Sequence, residues 1–179
     1  EKVAETAARA GITSKMDATP ALALGSCAAS PLDMANAYAT MVRNGARIQP
    51  SLISYVTDSH EKIVFQTKLE EKNVISSEAC AQMVDLMQDV VQSGTGKRAQ
   101  LFNRPVGGKT GTSDGARDLW FVGFTPDTVT AVWMGNDHNK PIAGLATTGG
   151  TVAASVWKSY MQKYYTEHPT PAGSFTPPQ

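Results

Sequence analysis

Pro105-Val106-Gly107-Gly108-Lys109-Thr110-Gly111-Thr112-Ser113-Asp114-Gly115-Ala116-Arg117-Asp118-Leu119-Trp120-Phe121-Val122-Gly123-Phe124-Thr125 is the stretch from which the fold can be read. At its centre Lys109-Thr110-Gly111-Thr112 sets a cation, a hydroxyl, a bare backbone position and a second hydroxyl in a row. On an extended strand alternate side chains share a face, so Lys109 and Gly111 point one way and Thr110 and Thr112 the other. A twist or bulge at Gly111 would bring Lys109 and both hydroxyls around one small anion, with backbone N–H groups nearby. Glycine at that position also lets a substrate backbone lie close against the strand. Downstream, Leu119–Phe124 and Thr128–Met134 read as apolar strands separated by a Thr125-Pro126-Asp127 turn.

Working outward, the N-terminal side alternates helices and strands. Val3, Ala7, Ala8 and Ala10 fall near helical spacing, and Gly11 is a plausible stop. This helical pattern begins at Glu1 with no capping residue before it, as expected of a piece of a longer protein. Ser30-Pro31-Leu32-Asp33 reads as a helix start, with Ser30 as N-cap, Pro31 at the first helical position and an acid in the first turn. Leu32, Ala35, Tyr38, Ala39 and Val42 would form its apolar face, ending at Asn44-Gly45. Arg47–Thr57 and Lys62–Gln66 read as two strands around an Asp58-Ser59-His60-Glu61 turn. Ser76 and Ser77 cap the next helix, whose expected buried stripe is Ala79, Met83, Leu86, Met87 and Val90. Ser93–Arg98 is a polar, glycine-containing loop.

Beyond the central strands come a Gly144–Gly150 loop and a last helix near Val152–Tyr165. After His168 there are four prolines in eleven residues, a composition that makes neither sheet nor helix. The expected organisation is therefore a domain portion over 1–168 and a loosely packed tail or linker over 169–179.

Composition excludes several classes of function. Sixteen basic and sixteen acidic side chains cancel over 179 residues, so no field for nucleic acid or a membrane surface is expected. No run approaches the ~18–20 apolar residues that span a bilayer. Cys27 and Cys80 lack metal or redox spacing and read as small apolar residues, with a disulfide between them left open. His60, His138 and His168 are too scattered for a metal site. A phosphate loop fails as well: Gly108-Lys109-Thr110 would need a glycine where Asn103 stands, and after Gly94-Thr95-Gly96-Lys97 the position of the hydroxyl residue is Arg98.

Lys-Thr-Gly-Thr followed by Arg-Asp-x-Trp-Phe-Val-Gly-Phe-Thr-Pro resembles the transpeptidase domain of class A penicillin-binding proteins. The likeness is strongest from Gly107 to Asn136 and extends over nearly all of residues 1–165. Ser-x-x-Lys, Ser-Asp-Asn and Lys-Thr-Gly form the motif set of that group, and only the third is present here in the expected setting. Thirteen serines and ten lysines in 179 residues produce on the order of one Ser-x-x-Lys by chance. Two occur, at Ser59-His60-Glu61-Lys62 and Ser155-Val156-Trp157-Lys158. Neither is expected to hold the nucleophile, because Ser59 falls in a turn and Ser155 lies inside the last helix, after Lys-Thr-Gly in chain order. No Ser-x-Asn occurs.

The resemblance implies an α/β (α+β) fold of the penicillin-binding and serine β-lactamase type, an antiparallel sheet with helices on both faces, incomplete in this chain. It implies a D-Ala-D-Ala transpeptidase that cross-links peptidoglycan stem peptides through a serine acyl-enzyme and is acylated by β-lactams. The nucleophilic serine would lie outside the chain, in the missing N-terminal half of the domain, and the chain alone would be inactive. Lys109 and Thr112 are the catalytic candidates, and Lys109, Thr110, Gly111 and Thr112 the substrate-binding ones. In that scheme Lys109 attracts the donor's terminal carboxylate and both hydroxyls hydrogen-bond it. Gly111 permits close approach, and the Thr112 N–H is one oxyanion donor. Asp118 and Trp120 are expected to be structural, as an acid tying Arg117 or a loop and as a large core ring. No cofactor or metal is implied, nor any nucleic acid. A membrane anchor outside the chain and a place on the extracytoplasmic face of the bacterial membrane are implied. A β-lactamase or penicillin-sensing receptor shares the Lys-Thr-Gly architecture. A non-catalytic peptide-binding or interaction module of a cell-wall complex is the other alternative.

Overall fold

Three antiparallel strands form the centre of the computed structural model, which describes residues 1–142 and 147–178. They are β5 (Gly107–Thr112), β6 (Asp118–Phe124) and β7 (Val129–Gly135), in the order β5-β6-β7, so β5 is an edge. Alternation along β6 separates two cores. On one side Leu119 and Phe121 are fully buried against Ala154, Trp157 and Met161 of helix α4 (Ala154–Glu167). On the other, Phe124 packs with Val84 and Met87 of α3 (Ser77–Gln92) and with Tyr38, Met41 and Val42 of α2 (Pro31–Val42). This is the expected antiparallel sheet with helices on both faces.

The local signals for helix starts act as read. Ser30 Oγ accepts from the Asp33 N–H at 3.0 Å, and Ser76 Oγ from the Ala79 N–H at 3.3 Å, each satisfying a first-turn donor. The buried faces are rotated from expectation. In α3 the buried residues are Cys80, Ala81, Val84, Met87 and Val91, while Met83 and Leu86 are exposed. Glu78, Gln82, Asp85 and Asp89 mark one exposed polar side of the helix, and the apolar arc that remains is wider than its neighbours cover, so packing decides which part of it is buried. In α2 the buried residues are Ala37 and Thr40, and Leu32 is exposed. Thr40 is tolerated inside because its hydroxyl donates to a carbonyl, with Ala10 O at 2.9 Å and Asn36 O at 3.1 Å. Ala10 closes α1 (Lys2–Ala10).

The single strand expected over Arg47–Thr57 is two. β1 (Ala46–Ile48) pairs with β4 (Glu71–Asn73), and β2 (Tyr55–Thr57) pairs with β3 (Ile63–Gln66). Pro50, which has no N–H to offer a ladder, lies in the break. The Asp58–Glu61 turn is present: the Asp58 carboxylate accepts from the N–H groups of His60 and Lys62. Cys27 and Cys80 are free thiols, and burial pushes the Cys80 thiol up.

Residues 169–178 adopt neither helix nor strand, yet they are held at two places. Phe175 packs edge-on against Phe124 at 5.5 Å. Arg104 donates to the Thr170 and Pro171 carbonyls and stacks over the Tyr165 ring at 3.6 Å. Asp127 ties this corner together, accepting from Tyr165 Oη and Thr125 Oγ1, each at 2.8 Å, and from Thr170 Oγ1 at 3.2 Å. Burial acts to raise the carboxyl's pKa, and the hydrogen bonds from Tyr165, Thr125 and Thr170 outweigh it, leaving it below the usual value.

A carboxyl whose pKa is lowered by folding stabilises the fold above its unfolded value, and that contribution disappears as pH falls through the folded value. Acidification below the ordinary carboxylate range is therefore expected to release the 170–175 segment before the sheet unfolds. The NMR shifts of the Phe175 ring, which packs edge-on against Phe124, followed over a pH series would show this, and Asp127→Asn would release the segment already at neutral pH. Identical Phe175 shifts in wild type and variant across that range would contradict it.

Candidate active site

The Lys109–Thr112 run occupies the free edge of the sheet. Its pairing with β6 is continuous from Gly107 opposite Phe124 to Thr112 opposite Leu119, with no bulge at Gly111. The kink that the sequence suggested at this glycine is therefore absent. The cation and the hydroxyls meet in a different way. Lys109 is exposed, and its long stem curls over the edge so that Nζ donates to the Thr110 carbonyl at 2.9 Å.

Register also fixes which way the backbone groups point. The Ser113 N–H donates to Asp118 O at 3.0 Å across the turn, just past the last registered pair. In an antiparallel ladder, exchanging pairs alternate with non-exchanging ones. Ser113–Asp118 and Gly111–Trp120 then face inward, and the N–H and C=O of Thr110 and Thr112 point away from β6. The outer edge thus presents the Thr112 N–H, the Thr110 carbonyl and the lysine ammonium together.

Thr110 and Thr112 share a face, as alternation requires, and each hydroxyl has a neighbour there. Thr110 Oγ1 lies 2.8 Å from Thr95 Oγ1, in the loop that follows α3. This places the Ser93–Arg98 loop beside the strand. Thr112 Oγ1 accepts from the Gly149 N–H at 3.0 Å. Gly149 opens a π-helical turn, Gly149–Ala153, that runs straight into α4. The sequence places Gly149 and Gly150 at the end of the Gly144–Gly150 loop, of which residues 144–146 lie outside the described residues. A signal was available: Thr148 and Thr151 make a reciprocal capping box, and a Thr-x-x-Thr pattern before an apolar run can mark a helix start.

The β5–β6 turn is stiffened by Asp118. Its carboxylate accepts from Ser113 Oγ at 3.0 Å and from Trp133 Nε1 at 3.0 Å, while the Asp118 N–H donates to Ser113 Oγ at 2.8 Å. Asp118 therefore ties a loop, as expected, but through Ser113; Arg117 instead donates to the Asn139 carbonyl. Trp120 is half-buried and tilted against Trp133 at 6.4 Å, so the large core ring is Trp157 instead. The two Ser-x-x-Lys serines are poorly placed for nucleophilic work. Ser59 sits exposed in its turn beside His60. Ser155 Oγ donates to the Thr151 carbonyl at 2.8 Å within the last helix.

Comparisons with known proteins bear on the family and the fold. The family model for the penicillin-binding protein transpeptidase domain matches residues 4–162. Penicillin-binding protein 1A of Aquifex aeolicus is 36% identical over 141 residues, which cover 79% of this chain and 19% of that protein. Penicillin-binding protein 2D of Bacillus subtilis is 33% identical over 186 residues, covering 99% of this chain and 26% of that protein. The chain thus spans about a fifth to a quarter of the length of these relatives. Among solved structures, penicillin-binding protein 1A from Haemophilus influenzae superposes with a TM-score of 0.82 at 25% identity, covering 96% of this chain and 31% of that one. PonA1 of Mycobacterium tuberculosis, solved in complex with penicillin V, superposes at 0.87 with 24% identity, covering 98% of this chain and 52% of that one.

Proposed function

The chain belongs to the penicillin-binding protein transpeptidase domain family, and from that premise we propose that it supplies the carboxylate-binding edge of a serine acyl-enzyme site. The reaction is D-Ala-D-Ala transpeptidation: a serine attacks the stem-peptide carbonyl, D-alanine leaves with the proton, and an amine of a neighbouring stem resolves the ester. The nucleophilic serine belongs to residues outside this chain. β-Lactams enter the same site because they carry both a reactive carbonyl and a carboxylate.

The observation that supports this reading is the open edge of β5, where Lys109 Nζ sits on the outward Thr110 carbonyl beside the outward Thr112 N–H. Lys109 supplies a point charge for the terminal carboxylate. The Thr110 and Thr112 hydroxyls orient the carboxylate. The Thr112 N–H meets the oxygen of the attacked carbonyl as it becomes negative, a role in which one pre-aligned donor is strongly favourable. Gly111 keeps the strand surface low beside the bound peptide.

The complete protein works at the extracytoplasmic face of the bacterial membrane, where stem peptides are found. Among the described residues no helix is long and apolar enough to cross a membrane. Incubating the complete protein with a penicillin, followed by peptide mass mapping, is expected to locate one stoichiometric adduct on a serine outside residues 1–179. An adduct on Ser59 or Ser155, or none at all, would overturn the proposal.

A further inference from the structure

We propose that Gly149 is a positioning residue for the transpeptidase site: its N–H holds the Thr112 hydroxyl from the protein side, leaving that hydroxyl's only proton for the substrate carboxylate. The inference rests on the carboxylate-binding reading above. A threonine hydroxyl has one proton and two acceptor lone pairs. In isolation it could turn its proton inward or outward. The Gly149 N–H, 3.0 Å from Thr112 Oγ1, occupies an inward lone pair. A proton turned the same way would oppose that donor, so the hydroxyl is set as an outward donor before any ligand arrives.

The donor is itself fixed. Thr148 and Thr151 lock the first turn reciprocally, with the Thr151 N–H on Thr148 Oγ1 at 3.1 Å and the Thr148 N–H on Thr151 Oγ1 at 2.9 Å. The turn is also seated directly on the strand backbone. A Cβ at position 149 would stand 2.3 Å from both the Gly111 and the Trp120 carbonyl oxygens. These belong to an inward-facing backbone pair that cannot swing aside as a flexible side chain would. A Cβ at position 150 would stand 2.3 Å from the carbonyl oxygen of Thr95, whose hydroxyl neighbours Thr110. The paired glycines therefore allow one helix start to touch the supports of both hydroxyls.

The test uses the complete enzyme and two probes, a penicillin and its methyl ester, which differ only in the free carboxylate. Acylation efficiency is measured for each, and the preference for acid over ester is the readout. Gly149→Ala pushes the turn off the strand and is expected to reduce that preference about tenfold, the scale of one misdirected charge-assisted hydrogen bond. A parallel fall with both probes, or no change, would mean that the glycine serves packing only. If Gly149→Ala does not fold, as judged by melting, glycolic acid in place of Gly149 removes the N–H and adds no atom. The same loss of preference is expected there, and an undiminished preference would overturn the inference. Thr112→Val separates the two levels. If it too keeps the full preference, the carboxylate-binding reading fails. If it loses the preference while the position-149 variants keep it, only the positioning role fails.

Discussion

Thr112→Pro in the complete enzyme is expected to lower the rate of acylation by a β-lactam about 10²–10³-fold, the usual effect of removing one oxyanion donor. Thr112→Val is expected to act mainly on binding, by roughly tenfold. The two substitutions separate two atoms of one residue. Valine keeps the N–H, the branched shape and the strand preference and removes only the hydroxyl. Proline removes the N–H as well. Thr112 ends an edge strand, and register points its N–H away from β6, so proline breaks no ladder hydrogen bond there. A hydroxyl–carboxylate contact exists in ground state and transition state alike, and its loss weakens binding without slowing the chemistry. The oxyanion exists only as the serine attacks. Single-turnover labelling with a fluorescent penicillin separates the two steps, with thermal melting as the control for folding. A folded proline variant that acylates as fast as the valine variant would remove the N–H from the mechanism.

Trp157→Ala is expected to destabilise the domain by about 3–5 kcal/mol, the range for losing a large aromatic from a closed core. Trp157 is fully buried, meets Phe121 edge-on at 5.5 Å and donates from Nε1 to the Thr130 carbonyl at 3.1 Å. It also fits over Gly123, where a Cβ would lie 2.6 Å from the indole Cε2. Truncation thus removes packing and leaves a carbonyl without its donor. Trp157→Phe keeps much of the ring, loses the hydrogen bond and is expected to cost less than the alanine change. Denaturant unfolding of the complete protein, followed by loss of penicillin labelling, reports both. Because α4 carries Gly149 at its approach to β5, labelling should be lost together with the sheet rather than after it. An alanine variant as stable as wild type would show that α4 is not part of the core.

The sequence was informative wherever a structure depends on neighbours a few residues apart. Ser30 and Ser76 cap their helices and Asp58 closes its hairpin turn, because each effect is exerted within one turn of chain. The Lys109–Thr112 strand and the common face of its two threonines followed from period-two alternation alone. The length of the likeness from Gly107 to Asn136 was sufficient for the family. Side-chain periodicity marks the polar side of α3 but not which part of its wide apolar arc is covered, where packing selects Val84, Met87 and Val91 over Met83 and Leu86. Nor could composition decide between Trp120 and Trp157 as the core ring, since both are equally apolar and only packing distinguishes them. Local sequence allows a bulge at Gly111, whereas the fold keeps the register intact and lets the lysine stem cross the edge. The direction of the Thr112 N–H is a property of pairing with β6. The donor to the Thr112 hydroxyl comes from Gly149, 37 residues away. No local rule reaches that far, because the contact exists only once helix and sheet have packed.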